Sequence, residues 1–522
     1  MTSSSLSKLK EELWDLNMNE QEKTIVQRMS EPVRLFKENL HDIFIFKDNN
    51  ISAFNQAHDL ASLVVDDSPN VRNKALELVL KLSTNKATRS GECASEKLVN
   101  SILGSFLAQE SDISCEILQN MVKERTAINC IKKKIGIPEM IELMKTSSDS
   151  GVLTLSTMIK YQLIFYPEET KTEIRRVSGQ VEIANLLHSY ADQSSNETEK
   201  IQRNLVDILR NVSFEHHPTK TSLVESNLHK DLLTMLHNNR NNPEMCRSIS
   251  RLIQVLSVNR DHKVIFVENG AVKVLGYFLK SENSQLVLEV LWALRNISDQ
   301  AFKLIEIKEI IGQLIVLLNE SKNHNIETCS AGCLCNFTCQ NPHNKAYLVE
   351  INGAQHLIES LKAKSQQEEF AEPVCSALRH ITHMNENYLV AINQIREHEG
   401  IPILLKFLET KQLYEYLPLI KAAIGLVKNI SVDRQCLDEI RECNGANLVG
   451  KILIKIHESC SLTEEIIISG VNLDDCLELT LSTVHTLAKD RRMREQFILM
   501  PRITQTVIQG ISFGSWLIIV FQ

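Results

Sequence analysis

The chain is short of glycine, proline and aromatic residues, with 17 Gly, 11 Pro and 5% aromatics in 522 residues. That scarcity argues against a β-sandwich or barrel, which needs frequent turns and many aromatic strand residues. It suits helices packed by Leu, Ile and Val, and apolar residues make up 43% of the chain. An apolar signal core is also lacking: the chain opens MTSSSLSKLKEELWDL. The one strongly apolar tail, WLIIVF at 516–521, is far short of the roughly 20 residues that span a bilayer. The 13 cysteines are scattered without the framework of a secreted domain, so free thiols in a reducing, intracellular compartment are expected. The net charge of −8 excludes a generally basic nucleic-acid binder but leaves room for a local basic groove.

What is present is a repeat. An apolar helix ending in a basic or polar pair recurs as LVDILRNVS (205–213), LWALRNIS (291–298), AGCLCNFT (331–338), SALRHIT (376–382) and IGLVKNIS (424–431). LIQVLSV at 252–258 keeps the register without the Asn. From Asn211 through Val255, Asn296, Asn336 and His380 to Asn429 the steps are 44, 41, 40, 44 and 49 residues. A period of about 40–47 residues marks stacked helical repeats. A second phrase keeps the same period: a Gly-containing turn leading into an apolar helix, as in ENGAVKVLGYFL (268–279), INGAQHLIESL (351–361), HEGIPILLKFL (398–408) and CNGANLVGKIL (443–453). The glycine is expected to supply a left-handed or tight turn. Each unit thus reads as short helix, Gly turn, second helix, and a third helix ending in the Arg-Asn phrase. The expected fold is all-α: a right-handed armadillo-repeat α-solenoid, a superhelix of three-helix repeats with a preceding amphipathic helix.

The expected boundaries are a flexible tail over 1–24, a helix over 25–50, the repeat array over 51–511, and an irregular, truncated end over 512–522. Within 25–46, Met29, Val33, Phe36, Leu40 and Ile43 fall at steps of 4, 3, 4 and 3 and make one helix face. A long join at 459–475 interrupts one repeat.

If third helices line a groove, Arg210-Asn211, Arg295-Asn296, Asn336, Arg379-His380 and Lys428-Asn429 form a ladder along it. An amide offers a donor and an acceptor to the backbone of an extended peptide, and Arg or Lys attracts its carboxylates. One such pair alone would be read as a cap on its own helix end; recurrence in register favours the groove. Asn211, Asn296, Asn336 and Asn429 are also N-x-[ST] sequons, better explained by helix-end geometry than by glycans. GANLVGKI at 445–452 nearly matches a phosphate loop, but Ile452 stands where a Mg²⁺-binding hydroxyl is required. Cys329, Cys333, Cys335 and Cys339 cannot converge on one metal from a straight helix, so buried thiols are expected. No catalytic constellation, metal site or cofactor is expected.

LWALRNISDQ, TCSAGCLCNFTCQNPHNK, EPVCSALRHIT, HEGIPILLKFL and LPLIKAAIGLVKNI resemble successive repeats of the β-catenin/armadillo/plakoglobin family. QRMSEPVRLFKENL resembles the stretch before that family's first repeat, and VDDSPNVRNKALELVLKLS the first repeat itself. The resemblance covers roughly 25–511. It implies a groove for acidic extended tails: cadherin cytoplasmic tails, T-cell-factor transcription factors and degradation-complex scaffolds. Of the family's two anchor lysines, one matches Lys345 in the NPHNK phrase and the other falls near Lys220. Trp292, Arg295 and Asn296 match the family's LWTLRN phrase, Arg379 and His380 its Arg-His pair, and Lys421 a further groove lysine; Arg251, Asn336, Lys428 and Asn429 complete the implied groove set. The helix over 25–46 would carry the α-catenin site.

The departures are Gln254 in place of a groove lysine, Met384 in place of a groove arginine, and Phe46 in place of a phosphorylatable tyrosine. The tail has no Asp-Ser-Gly degron. The resemblance therefore implies a non-enzymatic adaptor linking cadherin tails to α-catenin and actin in the cytoplasm at adherens junctions. The alternative is a Wnt-pathway co-activator that uses the same groove, partly in the nucleus. A nuclear-import receptor is disfavoured because only Trp292/Asn296 fits its Trp-x-x-x-Asn pattern.

Overall fold

The helices begin where the sequence supplies side-chain acceptors for their unpaired N–H groups. In the computed structural model, Ser111, Ser148 and Ser195 each cap a helix by accepting from the backbone N–H three residues on. Asn242, Asn283 and Asn323 do the same further along. The structure describes residues 57–512 except 91–94, 109–110, 365–366, 463–466, 469 and 501. The expected tail over 1–24, the helix over 25–50 with its Met29, Val33, Phe36, Leu40 and Ile43 face, and residues 513–522 lie outside the described residues.

Two compact units, Met1–Asn238 and Asn239–Gln522, divide the chain. In the first, four long helices pack in succession: α1 (Pro69–Thr84), α2 (Asp112–Met121), α3 (Asp149–Phe165) and α4 (Asn196–Ser213). Paired shorter helices back them, such as Arg125–Lys134 with Ile137–Met144. The second unit repeats the plan with α5 (Pro243–Leu256), α6 (Ser284–Ser298), α7 (His324–Thr338), α8 (Glu368–Ile381), α9 (Leu417–Ile430) and α10 (Leu473–Leu487). Its core is aliphatic: Ile253, Leu294, Leu334, Leu378 and Val427 are fully buried at matching places in successive repeats. Burying a side chain of this size contributes about 1.5–3 kcal/mol.

The Gly-turn phrase sets the joint between first and second helices, but the left-handed residue precedes the glycine. Asn352, Glu399 and Asn444 have φ of 58°, 56° and 62°. Of the four second-unit phrase glycines only Gly270, at φ 82°, takes that conformation itself. The glycines at 353 and 445 are needed for close approach instead. A Cβ on Gly353 would lie 2.5 Å from the Leu348 carbonyl oxygen, and one on Gly445 2.8 Å from that of Ile440.

Two departures from the three-helix plan lie in the second unit. No helix forms over 301–307, between α6 and the Lys308–Glu320 helix. The next repeat takes up the carbonyls so exposed: buried Asn341 Nδ2 donates to Phe302 O and Leu304 O at 2.8 and 2.9 Å. Buried Asn344 Nδ2 donates to Leu304 O and Phe337 O at 3.0 and 2.9 Å. The long join carries a small antiparallel pairing of Ile467–Ile468 with Val471–Asn472, which the absence of strand-type alternation gave no reason to expect. GANLVGKI forms no loop, since Gly445–Leu462 is one helix.

Replacing Gly353 with Ala is expected to destabilise the second unit by about 1–3 kcal/mol, because the added methyl meets the Leu348 carbonyl oxygen as well as its side chain. A lower urea midpoint at unchanged m-value would register this; an unmoved midpoint would show slack at the joint.

Candidate functional site: a ladder across the third helices

Third helices α5 to α9 each keep one strip only partly buried. On α5 it runs through Arg251 and Val255, on α6 through Trp292, Arg295 and Asn296, and on α9 through Lys421, Lys428 and Asn429. Steps of 3, 4 and 7 put each set on one side of its helix. The stacking of these helices joins the strips into one face of the second unit.

The ladder residues cross from helix to helix. Asn296 Nδ2 donates to Gln254 O on α5 at 3.1 Å, and Asn336 Nδ2 to Ser298 Oγ on α6 at 2.9 Å. Asn429 Nδ2 donates to Arg379 O on α8 and to Thr382 Oγ1 just beyond it, at 2.9 and 3.2 Å. His380 fills the same role, its Nδ1 lying 3.1 Å from Cys335 O. A carbonyl can only accept, so that nitrogen carries the proton. None of these groups caps its own helix; each closes the C-terminal turn of the helix before it. In the first unit Asn211 differs, donating to Asp207 O on its own helix at 2.8 Å.

The position before each ladder residue is matched to a small residue one repeat on. Arg295 lies across Gly332 of α7, where a Cβ would come 2.8 Å from its Nε. Arg379 lies across Gly425 of α9, where a Cβ would come 2.6 Å from its Cδ. Between them the position is Cys335, whose thiol lies beside Ser376. Trp292 and Arg295 lie beside the Cys329 thiol. Cys329 and Cys333 are buried, Cys335 and Cys339 partly exposed, and all four are free. Burial pushes the Cys335 thiol up to about 12. No group of three or more His, Cys, Asp or Glu side chains is gathered for a metal among the described residues.

The cations fall into three kinds. Arg295, Arg379 and Lys428 have no carboxylate within ion-pair distance among the described residues. Arg251 and Lys421 are paired internally, with Glu289 at 2.5 Å and Asp475 at 3.4 Å. Lys345, expected as an open anchor, is only 6% exposed. Its Nζ donates to His383 O at 2.9 Å, and burial lowers its pKa. It thus holds its own repeat to the segment after α8. Lys220 sits part-buried in the first unit, where burial likewise lowers its pKa. Sequence reasoning missed Gly332, Gly425 and Glu289. Only Glu289 left a signal: an acid three residues before Trp292 on the same helical face.

Gln254 contributes its carbonyl to the ladder, and Met384 projects from a left-handed backbone (φ 51°) with 72% exposure. Away from the ladder, a cleft of about 650 Å³ is lined by Arg240, Tyr277, Lys280, Ile310 and neighbours; the Lys273–Glu306 pair lies on its rim at 2.6 Å. Among the described residues no helix is long and apolar enough to cross a membrane.

A profile of the Armadillo/beta-catenin-like repeat matches residues 259–299. This span holds the helices Arg260–Glu268 and Ala271–Gly276 and ends with α6, one whole repeat. The fold is that of an armadillo-repeat solenoid. A solved structure from work described as "A conserved phosphorylation switch controls the interaction between cadherin and beta-catenin in vitro and in vivo" shares it, with TM-score 0.76 at 20% identity over 88% of each chain. An engineered protein matches at TM-score 0.58 and 17% identity, over 83% of this chain and 98% of its own.

Within that class the chain is similar to plakoglobin and β-catenin. Junction plakoglobin of Xenopus laevis is 28% identical over 481 residues, 90% of this chain and 63% of that protein. Junction plakoglobin of Homo sapiens is 27% identical over 477 residues, 90% of this chain and 62% of its own. Catenin beta of Urechis caupo is 27% identical over 482 residues, covering 90% and 57%. The chain therefore spans less than two thirds of the length of these relatives.

The part-buried His380 carries a pH dependence. Burial, with Arg379 beside it, pushes its pKa down from 6.5 to about 4. Between those values the unfolded chain binds a proton that the folded chain refuses, so its contribution is full above about 6.5 and is lost as pH falls toward 4. The loss over that range is about 3 kcal/mol. His380→Asn, the amide its neighbours use, is expected to keep the bond to Cys335 O. It should match the parent at pH 7.5 and lose less stability than the parent at pH 5. Identical urea midpoints for parent and variant at both pH values would remove His380 as the source.

Proposed function

We propose that the third-helix face of the second unit binds the acidic, extended cytoplasmic tail of a cadherin-type protein. On this reading the chain is a non-enzymatic adaptor at the cytoplasmic side of cell junctions. The observation that carries it is the run of Arg295, Arg379 and Lys428 on one face, beside the ladder amides and without carboxylates of their own among the described residues. An extended acidic peptide supplies both missing partners, carboxylates for the cations and backbone groups for the amides. The names of the relatives, junction plakoglobin and catenin beta, and the cadherin–β-catenin setting of the structural neighbour support the choice of ligand. By its resemblance to the family's segment before the first repeat, the stretch over 25–46 would take α-catenin on its apolar seam, which would extend the link to actin. A T-cell-factor peptide would use the same cations, so the Wnt-pathway reading competes for one face rather than adding another.

Reversing two open cations, Arg295→Glu with Arg379→Glu, is expected to weaken a cadherin-tail peptide by about 10- to 100-fold, or about 1.4–2.8 kcal/mol. Parent affinity should also fall steeply with salt, since exposed charge pairs are screened. Titration calorimetry that finds the double variant within twofold of the parent, with the fold intact, would sink this reading.

Replacing Phe36 and Leu40 with Ala is expected to abolish α-catenin capture and leave the cadherin-tail affinity unchanged. Loss of both partners together with a lower melting temperature would instead assign the seam to internal packing. Because Phe46 carries no hydroxyl, tyrosine-kinase treatment should not release α-catenin through this position.

A further inference from the structure

Glu289 lies on the face that the proposed ligand would cover, yet it is itself an acid. It shares one side of α6 with Trp292 and Asn296 at steps of 3 and 7, and it is only 6% exposed. Its Oε1 receives Arg251 Nε at 2.7 Å and Nη2 at 2.5 Å, so both arms of the guanidinium close on one carboxylate oxygen. Arg251 keeps 36% of its side chain exposed, so the pair stands at the edge of the face rather than in the core.

The arrangement recurs. In the same unit Asp475 of α10 reaches Lys421 of α9 at 3.4 Å, and in the first unit Asp207 of α4 reaches Lys160 of α3 at 2.7 Å. In each case the carboxylate comes from the third helix one repeat on. Arg295 and Arg379 have no such acid, and the residues lying under them are Gly332 and Gly425.

We infer that Glu289 is a specificity residue: a built-in carboxylate that occupies Arg251 and so rejects a ligand carboxylate at that step of the face. An incoming acid there would meet a neutralised arginine and the buried negative charge of Glu289, and like charges brought together select against a partner. Ligand acids are confined to the steps of Arg295, Arg379 and Lys428, and at Arg251 the ligand carries a neutral residue. This rests on the cadherin-type reading for the choice of ligand, but not for the electrostatics.

The experiment uses the full chain, its Glu289→Gln, Arg251→Gln and doubly substituted forms, and two probes: a cadherin-tail peptide and a length-matched polyglutamate peptide. Glu289→Gln removes the carboxylate from Arg251 and is expected to tighten polyglutamate about 3- to 10-fold, with a steeper salt dependence. In the Glu289→Gln background, Arg251→Gln should cancel the gain. A peptide series with each acid replaced by Gln in turn should show one position that is silent in the parent and costly in Glu289→Gln. Glu289→Gln that binds polyglutamate no tighter than the parent, at an unchanged melting temperature, overturns the inference. Parent protein that fails to bind the cadherin tail overturns the cadherin-type reading, while the polyglutamate comparison still decides the role of Glu289.

Discussion

The second unit depends on a hydrogen bond that leaves one helix and ends on another. Every helix has carbonyls in its last turn with no partner of its own. Where third helices stack, water is largely shut out of those turns, and an unmet carbonyl there costs about 1–3 kcal/mol. The next repeat supplies the donor: Asn296 to Gln254 O, His380 to Cys335 O, Asn429 to Arg379 O. A donor at one fixed place along each helix also sets how far successive helices slide past one another. Leucine packing alone leaves that register loose, since ridges of similar side chains fit their grooves at more than one offset.

This register is what makes the exposed face regular. Once the ladder aligns the helices, the residue before each ladder position overlies the helix of the next repeat. Arginine there needs a glycine beneath it, and both second-unit arginines have one, Gly332 and Gly425. Cys335 is smaller and has Ser376 beneath it. The side chains of adjacent repeats are therefore matched in volume, and the guanidinium groups are laid along the face rather than projected from it. Lys345 is the opposite case. Its stem is buried and its ammonium group is used on a backbone carbonyl, so its charge serves the stack first.

Much of this was legible in the chain. The period, the third-helix phrase and the order of helices within a repeat follow from apolar spacing and turn residues, which act locally. The Gly-turn phrase was visible, but its reason was not. Whether glycine is needed for a left-handed bend or for room depends on how close Leu348 O approaches Gly353, a tertiary fact. The missing helix over 301–307 was likewise hidden, because its cost is offset by Asn341 and Asn344 about forty residues on. Which cations remain open could not be read from one helix at a time. Arg251 and Arg295 both lie on the exposed strip of a third helix, and the acid that pairs with Arg251 comes from the helix one repeat on.

The ladder joins stability to the proposed binding face through the two halves of one functional group. An amide has a donor end and an acceptor end. In Asn296, Asn336 and Asn429 the donor end holds the neighbouring helix, which leaves the side-chain oxygen as the part suited to a peptide N–H. Neutral His380 reproduces this division: Nδ1–H is directed to Cys335 O and Nε2 retains a lone pair. Protonation would turn that lone pair into a second donor and break the sequence of acceptors along the face. Burial, which pushes the His380 pKa down to about 4, keeps the imidazole an amide equivalent at neutral pH. A ligand backbone that reads this row therefore reads the same groups whose other ends keep the repeats in register.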